Sequence, residues 1–293
     1  MKNIIYSIYI KNDDKDLRPI HQNTKTQLEK HYQKLIDVKK EYAKHCNAEF
    51  RLYENDTYWQ KFKKKVSGYQ FDVINLYKIH LWEKLAESND NVLYLDFDVI
   101  PNTTESFFDR FDMNSICVHS PNATKENIWT KTMLKNYKNN KSNFDELMNG
   151  KDKYNMYIKA LAKRAMLALD NDFNTNYFIA NTAIIGGNTN AIRQLKFSEN
   201  LDNMLNALKL AKEEELFGKN VSQLFFANNE VFFQYLLDKN KLKWTNIPFE
   251  WHTYIMDAGG KICNDIISKE VVSESKMIHL INKRFEDLWK ILK

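Results

Sequence analysis

Residues 91–101, NVLYLDFDVIP, constrain this chain more than any other stretch. Val92, Leu93, Tyr94 and Leu95 form an apolar run with the length and the aromatic and β-branched content of a buried strand. The run meets Asp96 and Asp98, separated by Phe97. Aspartate is a poor strand former, and two like charges at the end of an apolar strand are costly unless a cation compensates them. At two-residue spacing an extended backbone turns both carboxylates to one side, where one divalent ion can reach both. A lone Asp-x-Asp also reads as a polar strand exit into a turn at Pro101. The strand before it and the partners after it favour the ion.

A chain of 293 residues, 43% of them hydrophobic, can bury a substantial core as one large α/β domain or two small ones. Seven glycines and four prolines argue against long flexible linkers, and neither a P-loop nor a G-x-G-x-x-G is present, so a bound nucleotide must be held some other way. The net charge of +5, from 43 basic and 38 acidic side chains, describes a mixed surface whose mild excess suits phosphorylated ligands. No helix-turn-helix, finger or aromatic ribonucleoprotein motif occurs, so no nucleic-acid partner is expected. Cys46, Cys117 and Cys263 are odd in number, widely spaced and without metal-ligand pattern, which predicts reduced core thiols in a cytoplasmic protein. The opening MKNIIYSIYIKNDDKD reads as a first strand and not as a signal peptide, its apolar part being too short to span a bilayer.

Residues 4–10 are the expected first strand, with KNDD at its exit. Ligands collect at such exits in open α/β sheets, which makes Asn12 and Asp13 candidates for nucleotide contact, a solvated turn being the alternative. Leu28, Tyr32, Leu35, Ile36 and Tyr42 recur at helical spacing from residue 24 to about 46, and residues 48–53 read as a second strand, completing a β-α-β start. Residues 61–65 are a basic run read as a solvated face. Residues 71–86 form the next helix, with Lys78 placed either to reach a bound phosphate or to snorkel into solvent.

After Pro101, TTESFFDRF reads as a capped short helix and residues 116–118 as a strand. Residues 120–149 read as a polar insertion or lid, residues 154–169 as a helix, and residues 177–187, YFIANTAIIGG, as a strand interrupted by Asn181 and Thr182. Two helices are expected over 189–216 and 222–237. The second sets Asn228, Asn229 and Glu230 among aromatics, where polar groups must find partners such as a sugar's hydroxyls or each other. Residues 277–281 read as a short strand carrying His279, and a single histidine in such a strand is more often a core residue than a ligand. Phe285, Leu288, Trp289 and Leu292 line one face of a closing basic helix, which docks onto its own domain or makes peripheral contact with an anionic membrane.

Together these pieces resemble the GT-A glycosyltransferases and, within them, the retaining, glycogenin-like group (glycosyltransferase family 8) that uses nucleotide sugars. The specific match is YKIHLWEKLAESNDNVLYLDFDVI, a Lys-x-His-x-Trp helix followed by a strand ending in Asp-x-Asp. The first strand with KND, the NTAII strand, the NNE helix and the late strand with histidine occur in the family's order. The resemblance implies a Rossmann-like α/β fold with a mixed central sheet flanked by helices, in a single domain. Within it, residues 1–118 would be the nucleotide-binding half, 119–172 an insertion or lid, and 173–293 the acceptor-side half with the closing helix.

The same resemblance implies Mn²⁺ or Mg²⁺ held by Asp96, Asp98 and His279, with Lys78 and Asp96 at the donor and Asn12 and Asp13 near the nucleotide. Asn181 would lie near the transferred sugar, and Asn229 and Glu230 near the reacting centre. Asn282 and Phe285 stand where the family's tail has glycine and lysine, so a diphosphate contact falls to Lys283 or Arg284. Asn229 and Glu230 stand where the family commonly has Asp-Gln, which ranks Glu230 first as the catalytic carboxylate. The implied activity is transfer of a hexose from a UDP-sugar to an acceptor hydroxyl on a glycan, protein or small molecule, with retention. A ligand set of two carboxylates and one imidazole suits Mn²⁺ or Mg²⁺ better than zinc.

LDFDV also looks like the first motif of haloacid-dehalogenase-type phosphatases, with Asp96 as nucleophile and Asp98 as acid. That motif normally opens a chain, whereas about ninety residues precede it here, and the later pair Asp170 and Asp172 sits on a poor strand. A third reading is a nucleotide-sugar-binding module without turnover, which the Asn229 departure keeps open.

Overall fold

The structure, a computed structural model, describes residues 1–11, 19–66, 70–120, 163, 166, 179–213, 229–255 and 267–292. The elements are, in order, β1 (Asn3–Ile8), α1 (Pro19–His45), β2 (Ala48–Tyr53), α2 (Thr57–Lys65), α3 (Gln70–Leu85), β3 (Asn91–Leu95), β4 (Val99–Pro101), α4 (Phe107–Arg110) and β5 (Ile116–His119). Further along come β6 (Asn181–Asn188), α5 (Thr189–Arg193), α6 (Phe197–Glu213), α7 (Asn229–Lys239), β7 (Trp244–Asn246), a 3₁₀ turn at Phe249–Trp251, β8 (Thr253–Ile255), α8 (Lys269–Glu274), β9 (Met277–Leu280) and α9 (Phe285–Ile291).

The main sheet is mixed, in the order β2-β1-β3-β6-β5-β7. β1 lies parallel to both β2 and β3, β6 runs antiparallel to its neighbours β3 and β5, and β7 is parallel to β5. Its central strands are buried on both faces, which is why they read as unbroken apolar runs and not as alternating ones. Ile4, Tyr6, Val92, Tyr94, Ile116 and Val118 enter a core formed with α2, α3, α6 and α7. Their neighbours Ile5, Leu93, Leu95 and Cys117 enter a second core with Tyr42, Phe107 and Trp251. The mixed α/β sheet flanked by helices is thus the architecture expected.

A second sheet, β4-β9-β8, pairs β4 antiparallel and β8 parallel to β9. A third core lies beneath it, where Ile100, Ile278, Leu280 and Ile255 meet Leu35 and Ile36 of α1 and Phe285, Leu288 and Trp289 of α9. The closing helix therefore spends its apolar face inside the protein, with Trp289 Nε1 donating to His31 Nδ1 at 3.3 Å. Among the described residues no helix is long and apolar enough to cross a membrane.

Some local expectations change. The single helix expected over 189–216 is two, α5 and α6, because the chain turns at Lys196 with φ 52°. The start of α6 is capped from a distance: Glu83 of α3 accepts from the backbone N–H groups of Phe197 at 2.9 Å and Ser198 at 2.8 Å. The basic run 61–65 is solvated as expected except for Phe62, but it closes a helix, α2, capped by Asp56, whose carboxylate accepts from Trp59 N–H at 2.8 Å. Cys46 and Cys117 are buried and free. Apart from Ser120, the expected lid over 120–149 falls outside the described residues, as do most of the helix over 154–169, Asp170, Asp172 and Cys263.

Candidate metal centre

β3 stops at Leu95, and the next residues form a turn in place of the expected extended backbone. Asp96 N–H donates to Ala183 O of β6 at 2.7 Å, and Val99 N–H donates back to Asp96 O at 2.9 Å, closing the turn. Phe97 anchors it: the ring is buried 4.8 Å from Tyr9 and 5.6 Å from Tyr32, and its carbonyl accepts from the buried Lys39 Nζ at 2.9 Å. The chain thereby passes from the large sheet to the small one between the two aspartates. β4 starts immediately after Asp98 and pairs with β9 so that Val99 faces His279. Leu280 N–H then donates to Asp98 O at 3.1 Å. Register, and not sequence proximity, delivers the imidazole to the carboxylates.

One ligand atom from each of Asp96, Asp98 and His279 can be chosen so that all lie within 4.8 Å of one another. Their side chains are 26%, 12% and 9% exposed, so the cluster reaches solvent mainly through Asp96. His279 Nε2 lies 3.5 Å from Asp98 Oδ2, and its Nδ1 lies 3.3 Å from Nε2 of the fully buried His252. Two carboxylates and one imidazole, the imidazole held from behind, are a donor set that fits a divalent ion of the Mn²⁺ or Mg²⁺ type.

The charges here are balanced by lysines. Lys78 Nζ lies 3.3 Å from Asp96 Oδ1, and Tyr94 donates its hydroxyl to the same oxygen. Burial, and then the charge of Asp96, keep the Tyr94 phenol protonated far above its ordinary range. Lys283 Nζ pairs with Asp98 Oδ2 and also donates to Ile281 O at 3.1 Å. Burial would push the Asp98 carboxyl up, but Lys283 and His279 outweigh it and hold it well below the usual carboxylate range. Lys283 does this from the left-handed region, φ 59°, a conformation that costs a lysine roughly 1–2 kcal/mol. Lys78, which helix position alone left as a surface lysine, is buried.

The other residues singled out from sequence divide clearly. Asn229 at the head of α7 donates its amide to Thr182 Oγ1 on β6, and Asn181 Oδ1 accepts from Ala183 N–H at 3.0 Å, beside the carbonyl that holds Asp96. Glu230 is close enough to raise the pKa of buried Tyr254, burial being the larger cause. Asn181, Asn229 and Glu230 therefore border the same region as the acidic turn. Arg284 is instead taken by Asp287 at 2.7 Å, and Phe285 is core, which leaves Lys283 as the tail cation at the carboxylates. Asn12 and Asp13 lie outside the described residues. In the Lys-x-His-x-Trp helix only Lys78 faces the site: His80 Nδ1 meets Ser198 Oγ at 2.7 Å, and Trp82 Nε1 donates to Val92 O at 3.2 Å.

Sequence reasoning missed Lys39, Tyr94, His119 and His252 as members of this region. Only Tyr94 carried a signal, standing two residues before Asp96. The others reach the site through burial and pairing that no periodicity records.

Fold and site together define a mixed α/β protein with a carboxylate–carboxylate–imidazole cluster where a central strand leaves the main sheet. No family model and no curated protein matches the sequence. Among solved structures, the chain is similar to a glycosyltransferase involved in the glycosylation of the major capsid of PBCV-1, at 11% identity and a TM-score of 0.46 with 98% of each chain covered. It is also similar to apo mouse xyloside xylosyltransferase 1, at 12% identity and a TM-score of 0.44, covering 96% of this chain and 98% of that one.

Proposed function

We propose that this chain is a metal-dependent glycosyltransferase that moves a hexose from a nucleotide sugar, a UDP-sugar by the family resemblance, to an acceptor hydroxyl with retention. The observation that carries the reading is the convergence of Asp96, Asp98 and His279 with their ligand atoms within 4.8 Å of one another. Bound there, Mn²⁺ or Mg²⁺ would supply Lewis-acid neutralisation of the diphosphate leaving group. Lys78 and Lys283 already match the two carboxylates, so a bare dication would add an uncompensated charge to a poorly hydrated site. A dication arriving with the diphosphate of a sugar nucleotide adds none. On this reading ion and donor bind together, and the two ammonium groups turn from the carboxylates toward phosphate oxygens.

Asn229, fixed by Thr182, and Asn181 would orient the sugar, with Glu230 as the carboxylate nearest the reacting carbon. Among the described residues the third group beside the aspartates is an imidazole and not another carboxylate, which favours this reading over the phosphatase one. Asp98→Ala should abolish Mn²⁺-stimulated release of UDP from a UDP-sugar, and full release by that variant would contradict the proposal. In a thermal-shift panel of nucleoside diphosphates, the cognate one should raise the melting temperature strongly only when Mn²⁺ is present.

A further inference from the structure

We propose that His252 is a positioning residue for the metal centre: it accepts the Nδ1 proton of His279 and so fixes that ring with its Nε2 lone pair toward Asp96 and Asp98. The inference rests on the metal reading above and concerns how this chain prepares the ligand. A neutral imidazole can ligate only through the nitrogen without the proton. His279 Nε2 is the nitrogen on the side of the carboxylates, 3.5 Å from Asp98 Oδ2, so with an ion bound there Nε2 must be the lone pair and the proton belongs on Nδ1, which lies 3.3 Å from His252 Nε2. His252 is fully buried, and its Nε2 must then be a lone pair and its Nδ1 a donor.

Two further polar rings, His119 and Tyr254, pack against His252. His119 Nδ1 lies 2.7 Å from Ile247 O, and a carbonyl can only accept, so His119 holds its proton there and leaves Nε2 as an acceptor. His252 Nδ1, His119 Nε2 and the Tyr254 hydroxyl are buried without a hydrogen-bond partner among the described residues. Their rings form one cluster, with His119 and His252 centred 5.6 Å apart and Tyr254 at 5.5 Å and 4.7 Å from them. Metal-bound histidines more often lean on a carboxylate. A neutral acceptor does the same task without adding a third negative charge to a buried site.

The test compares the full-length protein with His252→Leu, which fills the space and cannot accept, and His252→Gln, whose amide oxygen can take the place of Nε2. Free Mn²⁺ is counted by electron paramagnetic resonance at one fixed UDP concentration, with Asp98→Ala as the reference for loss of the site and melting temperatures recorded without metal or UDP. Leu should weaken Mn²⁺ binding roughly 10–100-fold while Gln stays within a few-fold of wild type. Leu and Gln binding alike, whether both tightly or both weakly with matching losses of melting temperature, would overturn the positioning role and leave the metal site standing. Equal binding by wild type and Asp98→Ala would overturn the metal site itself, and the role of His252 with it. Ring ¹⁵N shifts with Mg²⁺ and UDP bound give a check that needs no variant: a wild-type His279 protonated on Nε2 in that complex would refute the assignment.

Discussion

The six-stranded sheet buries apolar side chains on both faces, whereas the three-stranded sheet gathers His279, Tyr254 and the neighbouring Asp98 and His252 around strands only three or four residues long. The large sheet is cheap to specify, because each doubly buried run carries its own signal and its parallel start is joined through α1. The small sheet is held by pairing between distant segments, as in the Lys283–Asp98 bond across 185 positions of sequence. Closing such loops costs chain entropy before any contact returns it. The difference separates a scaffold that hydrophobic burial stabilises from a polar centre whose charges are retained for something other than stability.

The largest expected effect tests that separation. Asp98→Ala should destabilise the fold by about 3–5 kcal/mol in denaturant titrations, because it leaves the Lys283 ammonium, only 12% exposed, without its carboxylate. Replacing both partners, Asp98→Leu with Lys283→Met, should recover most of that loss, since apolar pairs often equal or exceed buried ion pairs in stability, while UDP release stays abolished. A double variant as unstable as the single one would mean that the small sheet depends on its charges for folding, and the contrast would fail.

The same contrast explains what could be read from the sequence. β1, β2, α1, α3, β3 and β9 lie within a few residues of their expected places, because long amphipathic or doubly buried segments announce themselves locally. Asp96 and Asp98 were legible from chemistry, since charges at an apolar strand end need an explanation. The geometry joining them was not: the chain turns between Asp96 and Val99 and does not extend. β7, the 3₁₀ turn and β8, over residues 244–255, are too short to show any period, and His252 arrives with them. The break between α5 and α6 depends on Glu83, more than a hundred residues earlier, and so on tertiary structure that no local pattern contains.

Within the large sheet the corresponding weak point is a matter of space. A Cβ added at Gly186 of β6 would stand 2.5 Å from Phe107 Cε1, and that ring is fully buried among Phe111 and Trp251. Phe107 cannot swing into solvent, so Gly186→Ala should cost about 1–3 kcal/mol by overpacking and leave the carboxylate cluster untouched. Mn²⁺ affinity measured well below the melting transition should therefore match wild type. A drop in affinity with little change in stability would show that the two sheets are coupled through β6.

Lys39 on α1 lies at the seam between the sheets and gives the most pH-specific effect, absent in acid and growing only towards alkaline pH. Its amine donates to Phe97 O at 2.9 Å and Leu35 O at 3.3 Å, bonds that a neutral amine can make as well as a charged one. Burial lowers its pKa from 10.5 to about 7, with Asp98 and Asp96 pulling it partly back. Between these two values the unfolded chain holds a proton that the folded chain has released, so this group makes stability rise with pH across that window and contributes no slope below or above it. The gain is at most about 1.4 kcal/mol per pH unit for one proton. Lys39→Met removes the titration, so the stability difference, wild type minus variant, should climb from pH 7 towards 10.5 and be flat in acid. A difference that stays constant across the alkaline range would mean that Lys39 keeps its proton in the fold. The turn carrying Asp96 and Asp98 would then be held by a charged ammonium, and the seam would belong electrostatically to the metal centre and not to the scaffold.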